Sequence, residues 1–262
     1  MLPCRDTNAE QRSESQMRKK LIIAIPFVLL TGVIALWYIG KSRTFQFFGI
    51  IVPRVSTSEK VVALTFDDGP TSSGTGEILR VLDEMKVKAT FFVIGAELEQ
   101  NMAEGRKIVA AGHELGNHSY SHVRMLLVTP SFVQQEIEKT DRLIRETGYS
   151  REINFRPPYG KKLFALPYYL SQTGRKTIMW DVEPDSEPKI ASDSQRIIEE
   201  TRSRVRPGSI ILLHAMYESR QQSLKAIPGI IENLKREGYR FVTVSELLAV
   251  ANGEKIQAAN TF

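Results

Sequence analysis

Between Lys60 and Val250 the sequence predicts an α/β fold, a parallel sheet covered by helices, and three observations carry that prediction. Short apolar runs alternate with longer amphipathic ones, giving about seven strand-helix units. The short runs are apolar throughout, as in strands buried on both faces. The longer runs carry helix punctuation: Thr129-Pro130 offers a capping hydroxyl and a first-turn proline, and Gly112, Gly148, Gly174 and Gly238 offer stops. About seven units in roughly 190 residues fit either a barrel or a doubly wound sheet, and periodicity alone does not choose between them.

Ahead of this domain lie three segments. Residues 1–20 carry Arg5, Arg12, Arg18, Lys19 and Lys20, and residues 21–40, LIIAIPFVLLTGVIALWYIG, carry no charge. Roughly twenty apolar residues cross a bilayer core as a helix, whereas the apolar stretch of a cleaved signal is about 7–15 residues long. We therefore expect a transmembrane anchor, with Trp37 and Tyr38 near its outer end. The Lys/Arg bias places residues 1–20 in the cytoplasm and the rest of the chain on the extracytoplasmic side. Residues 41–58 read as a linker, 59–250 as the folded domain and 251–262 as a polar tail.

The sole cysteine, Cys4, falls in the cytoplasmic segment, so the exported domain depends on its core and not on a disulfide. With 35 Lys and Arg against 30 Asp and Glu, the net charge is +5. Outside the membrane flank no basic run stands out, so nucleic acid is not an expected partner; protein partners are not identified.

Within the domain the units run VVALTF (61–66) then GEILRVLDEM, ATFFVIG (89–95) then AEGRKIVAAG, and HELGN then SFVQQEIEKTDRLIRET. INFRPPYG with LFALPYYLSQTG, TIMWDVE with SQRIIEETRSRV, SIILLH with LKAIPGIIENLKREG, and YRFVTV with SELLAV complete the series. Chemistry-bearing residues follow the strands: Asp67 and Asp68, His118 and His122, Arg156, Asp185, and His214. In parallel α/β folds the carboxyl ends of the strands are where ligands bind, so these positions converge.

Asp67 and Asp68 leave their strand on opposite sides, so one can serve a metal and the other a substrate or water. The spacing of His118 and His122 places both imidazoles on one side if that segment is a helical turn. Two nitrogens and a carboxylate suit zinc with an open water position, or iron, cobalt or nickel. Arg156 can hold Asp67 ionised, and a backbone N–H near Tyr159 can face an oxyanion. His113, at the start of its strand, reads as a structural histidine.

Four ordered motifs, TFDDGP (65–70), HSYSH (118–122), RPPYG (156–160) and LLH (212–214), make the stretch from Lys60 to Val250 resemble the polysaccharide deacetylase family, also called the NodB-homology domain or carbohydrate esterase family 4. The resemblance implies a distorted (β/α) barrel with a divalent metal, usually zinc, at the strand ends; cobalt, nickel or manganese are alternatives. It implies Asp67 as catalytic base and Asp68, His118 and His122 as metal ligands. It also implies Arg156 as orienter of the base, the Tyr159 backbone as part of the oxyanion site and His214 as general acid. The family's usual aspartate-tryptophan pair after the fifth strand is here Asp185 followed by Ser186. Asp185 takes the supporting role beside His214, with Asp181 and Glu183 as near competitors.

The implied activity is hydrolysis of N-acetyl groups on an amino-sugar polymer, such as peptidoglycan or an exopolysaccharide, by a single-pass protein of the cytoplasmic membrane. A deacylase of a lipid-linked or small amino sugar is the alternative. A non-catalytic glycan-binding module fits less well, since Asp67 and His214 are both present.

Overall fold

The structure, a computed structural model, describes residues 7–251 and 253. Cys4, the first residues of the segment expected in the cytoplasm and nearly all of the polar tail lie outside the described residues. The chain divides into two units between Lys41 and Ser42.

The first unit is one helix, α1 (Thr7–Lys41), and its segment Ala24–Lys41 is long and apolar enough to cross a membrane. Trp37 and Tyr38 meet edge to face near its end, with Lys41 Nζ 3.3 Å from the Trp37 ring centre.

The second unit runs β1 (Ile51–Val52), β2 (Val61–Asp67), α2 (Thr75–Glu84), β3 (Thr90–Val93), α3 (Gly95–Gln100), α4 (Met102–Ala110), β4 (Glu114–Asn117) and α5 (Pro130–Glu146). It continues with α6 (Ala165–Gln172), β5 (Thr177–Ile178), α7 (Pro188–Ala191), α8 (Ser194–Arg204), β6 (Ile210–Leu213), α9 (Gln221–Arg236), β7 (Arg240–Val242) and α10 (Val244–Ala251). Every pairing between these strands is parallel, in the order β4-β3-β2-β6, with β7 beside the first half of β2 and β1 beside β5.

Strand β2 shows how the sequence divides its side chains. Val62, Leu64 and Phe66 enter the larger core, shared with Ile78 and Leu82 of α2 and Ile227 and Ile231 of α9. Val61 and Ala63 enter a second core on the other face, with Phe92, Ile210, Leu212 and Trp180. The period-two alternation of a strand sends Thr65 and Asp67 to this second face as well. A carboxylate is thus delivered to the interior at the carboxyl end of a fully buried strand.

Thr129 caps α5, its hydroxyl accepting from the Phe132 N–H, and Pro130 occupies the first helical position. Gly148 follows that helix at φ 93°, a left-handed conformation a side chain resists.

Three segments differ from the sequence pattern. INFRPPYG contributes only Phe155, which bridges Asn117 on one side and Thr177 on the other, because Pro157 and Pro158 have no N–H for a ladder. TIMWDVE is regular only at Thr177–Ile178 and then bridges β6 through Val182. There the Asp181 carboxylate accepts from the Ile210 N–H and the Ser209 hydroxyl, competing with the strand ladder. Residues 41–58 carry strand β1, and Arg54 donates to the Pro207 carbonyl.

Candidate active site

Asp67 is 2% exposed and Arg156 is 0% exposed. The guanidinium donates from Nη1 to Asp67 Oδ1 (2.5 Å) and Thr65 Oγ1 (2.8 Å), and from Nη2 to the Met179 carbonyl (3.2 Å). It lies 4.0 Å from the Phe92 ring centre. Burial raises the Asp67 pKa, and the neighbouring Arg156 charge works against that rise. The planar fork reaches these three acceptors from two separate nitrogens, a spread that the single ammonium of a lysine lacks.

Asp68 and Gly69 both take positive φ, 73° and 66°, so the chain reverses directly after β2. A Cβ at Gly69 would meet Met216 Sδ at 2.5 Å, so neither the torsion nor the space admits another residue comfortably. After this turn Asp68 faces the histidines, while Asp67 Oδ2 also lies 3.6 Å from His118 Nε2. Asp68 Oδ1 lies 3.2 Å from His122 Nε2 and 3.8 Å from His118 Nε2. The three ligand atoms lie within 4.8 Å of one another.

Two features show that this triad suits a cation. Asp68 Oδ1 is buried with no hydrogen-bond donor, a costly state unless something positive satisfies it. His118 Nδ1 lies 2.8 Å from the Arg156 carbonyl oxygen, which can only accept, so Nδ1 carries the proton and Nε2 keeps its lone pair. Burial, followed by the His122 charge, depresses the His118 pKa to about 3, so the ring is neutral at ordinary pH.

The two imidazoles are not carried on a helical turn. Residues 118–122 form an irregular loop with positive φ at Ser119 (65°) and His122 (55°). Side chains replace the missing helical bonds: Asn117 Oδ1 accepts from the Ser119 N–H, and Ser119 Oγ from the His122 N–H. Glu136, on the buried stripe of α5, accepts from the N–H groups of Tyr120 and Ser121 and from the Ser121 hydroxyl. Sequence reasoning missed Asn117, Ser119 and Glu136. An acid at a core position of the helical period of α5 is the signal that marks Glu136.

Asp185 is fully buried. Its Oδ2 accepts from the His214 N–H (2.7 Å) and the Ser223 hydroxyl (2.8 Å), and its Oδ1 lies 3.4 Å from His214 Nδ1. Burial opposes a charge on His214, but the Asp185 hydrogen bond and the charges of Asp185, Asp67 and Asp68 outweigh it and raise its pKa to about 9. Asp181 is turned to β6, and Glu183 pairs with Arg43 and the Trp180 N–H, so neither makes this contact.

Tyr159 has φ 56° and an exposed ring 4.6 Å from that of His122, with the Arg124 guanidinium over it. Four of the five non-glycine residues with positive φ among those described, Asp68, Ser119, His122 and Tyr159, belong to this site, where strained backbone concentrates. His113 lies apart, buried, with Nδ1 accepting from the Ala89 N–H.

A buried carboxylate, a charged imidazole and a set of ligating atoms gathered at the ends of parallel strands are the equipment of a hydrolase. The sequence profile of the family described as polysaccharide deacetylase matches residues 54–178. A peptidoglycan-N-acetylglucosamine deacetylase of Bacillus cereus is 32% identical over 200 residues, covering 76% of this chain and 93% of that protein. Peptidoglycan-N-acetylmuramic acid deacetylase PdaC of Bacillus subtilis is 31% identical, covering 86% of this chain and 49% of that one. Among solved structures, the Bc1960 peptidoglycan N-acetylglucosamine deacetylase superposes with a TM-score of 0.69 at 30% identity, covering 78% of this chain and 94% of that one. This chain belongs to the polysaccharide deacetylase family, carbohydrate esterase family 4, and with relatives named as peptidoglycan deacetylases it is a hydrolase acting on amide bonds.

Proposed function

We propose that this protein is a membrane-anchored, metal-dependent deacetylase that removes N-acetyl groups from peptidoglycan or a related amino-sugar polymer outside the cytoplasmic membrane. The observation that carries the reading is the position of Asp68 Oδ1, buried without a donor and facing two imidazole nitrogens, next to the Arg156-paired Asp67. The names of the relatives in Bacillus cereus and Bacillus subtilis support a peptidoglycan sugar as substrate.

Asp68, His118 and His122 would hold the ion, for which two nitrogens and one oxygen favour zinc. When bound, it would polarise the acetamide carbonyl and lower the pKa of a water toward about 7. The residues of this chain carry the proton transfers. Asp67, with Oδ1 occupied by Arg156, takes a proton from the attacking water through Oδ2. The Tyr159 backbone N–H faces the developing oxyanion. His214, charged through Asp185, donates from Nε2 to the departing amine, the C–N bond breaks, and acetate and a free amino sugar result.

The catalytic domain in this reading spans residues 59–250 as a distorted barrel. The bridges at Phe155 and Val182 support closure, since they link β4 to β5 and the segment after β5 to β6. Helix α1 supplies the anchor at residues 21–40, with 1–20 inside the cell.

The reading is tested by acetate release from N-acetylated peptidoglycan and chitin oligomers by the full-length protein in detergent, beside Asp67→Asn. Release by the wild type, reduced in the variant by about 10²–10⁴-fold, is expected. Equal release by both would sink it.

A further inference from the structure

We propose that the catalytic domain docks onto the surface of the bilayer through an aromatic patch built by residues 44–53, 125–133 and 163–173. None of these three stretches contains a charged residue. They come together in space: Phe47 stacks on Phe164 with ring centres 4.9 Å apart and meets Phe45 edge to face at 5.8 Å, while Phe48 meets Tyr168 at 5.5 Å. Phe48, Phe164 and Tyr168 line a groove of about 430 Å³ with Leu126, Leu127 and Val128.

The side chains face outward. Leu127 is 91% exposed, and Phe45, Ile50 and Tyr168 are each at least half exposed. A contiguous apolar surface on an otherwise polar domain marks a place that something covers, and rings with a polar edge favour the headgroup region of a membrane.

The tether selects the bilayer as that cover, and here the inference rests on the reading of α1 as a membrane anchor. Phe45 follows Lys41 by four residues, a reach of at most about 14 Å, and Phe48 by seven, about 25 Å. One wall of the patch therefore stays within about 25 Å of the end of the anchor and can reach the headgroup layer, roughly 5–8 Å deep, without leaving its tether. The other two walls continue the loops of His122 and Tyr159, and a bridge from Met125 to Lys162 joins them. Docking thus holds the catalytic rim at the membrane surface, where the substrate would be membrane-proximal glycan.

The test uses the full-length protein reconstituted in phosphatidylcholine vesicles, with Cys4→Ser removing the sole native thiol. A Leu127→Cys variant carries an environment-sensitive fluorophore, and Arg236→Cys, at the end of α9 away from the strand ends, serves as the control. Blue-shifted emission at position 127, quenched by spin-labelled lipid and independent of protein density, is expected, with water-like emission at 236. Adding Phe48→Ser and Phe164→Ser should return the 127 probe to water-like emission while leaving activity on soluble oligomers unchanged. Water-like emission at 127 in the unmodified patch overturns the proposal. So does a shift that disappears on dilution in the membrane, which would assign the patch to a second copy of the chain. Retention of the protein in vesicles after carbonate washing reports separately on the anchor, so failure of anchoring and failure of docking are told apart.

Discussion

His118 donates from Nδ1 to the carbonyl oxygen of Arg156 across 2.8 Å, while the guanidinium of Arg156 grips Asp67 at 2.5 Å. One residue thereby fixes both the tautomer of an expected metal ligand and the orientation of the expected base. The guanidinium's bonds to Asp67, Thr65 and the Met179 carbonyl offset its full burial beside Phe92.

Replacing Arg156 by methionine leaves the Asp67 charge buried and unpaired. Loss of one partner of a buried pair costs about 3–5 kcal/mol, so the variant should show that decrease in urea unfolding together with an Asp67 pKa moved further up. A decrease below about 1 kcal/mol would show that the pair is not what fixes Asp67.

His214 gives the alkaline side of the pH profile. Its pKa of about 9 lies above the ordinary 6.5, and a general acid works only while protonated, so kcat/KM should fall as pH climbs through about 9. The raised value also means that His214 contributes stability fully present below pH 6.5 and lost as pH rises through about 9. Asp185→Asn removes the charge that outweighs burial, so the alkaline limb and the corresponding loss of thermal stability should both move to lower pH. An unchanged alkaline limb in that variant would assign the limb to another group.

Glu136 should matter without touching substrate. Glu136→Ala leaves the Tyr120 and Ser121 N–H groups without their acceptor, at a cost of about 1–3 kcal/mol, and loosens the loop that carries His122. Outer partners of this kind typically change metal affinity 10–100-fold. Thermal melts paired with zinc titration check both effects, and wild-type affinity in a destabilised variant would make Glu136 a structural residue only.

Much of this was legible in the residues themselves. VVALTF, ATFFVIG and SIILLH are short apolar runs rich in β-branched and aromatic residues, as strands buried on both faces are, and Asp67 and His214, which follow two of them, reach one rim. What escaped the sequence has physical causes. Spacing in HxxxH cannot distinguish a helical turn from a loop held by Asn117 and Ser119, since both bring imidazoles together. TIMWDVE reads as a full strand because apolarity does not register the competition from Asp181, whereas the paired prolines of INFRPPYG already mark a stiffened loop after Phe155. Strand β1 escaped because its partner Thr177 lies more than a hundred residues away, with no local period to betray the pairing.

The most direct test of the account is metal content against turnover in the full-length protein. Prolonged chelation should remove one ion per chain and abolish acetate release, one equivalent of zinc should restore it, and His118→Ala should neither hold the ion nor recover. Turnover that persists in metal-free protein would contradict the assignment of Asp68, His118 and His122.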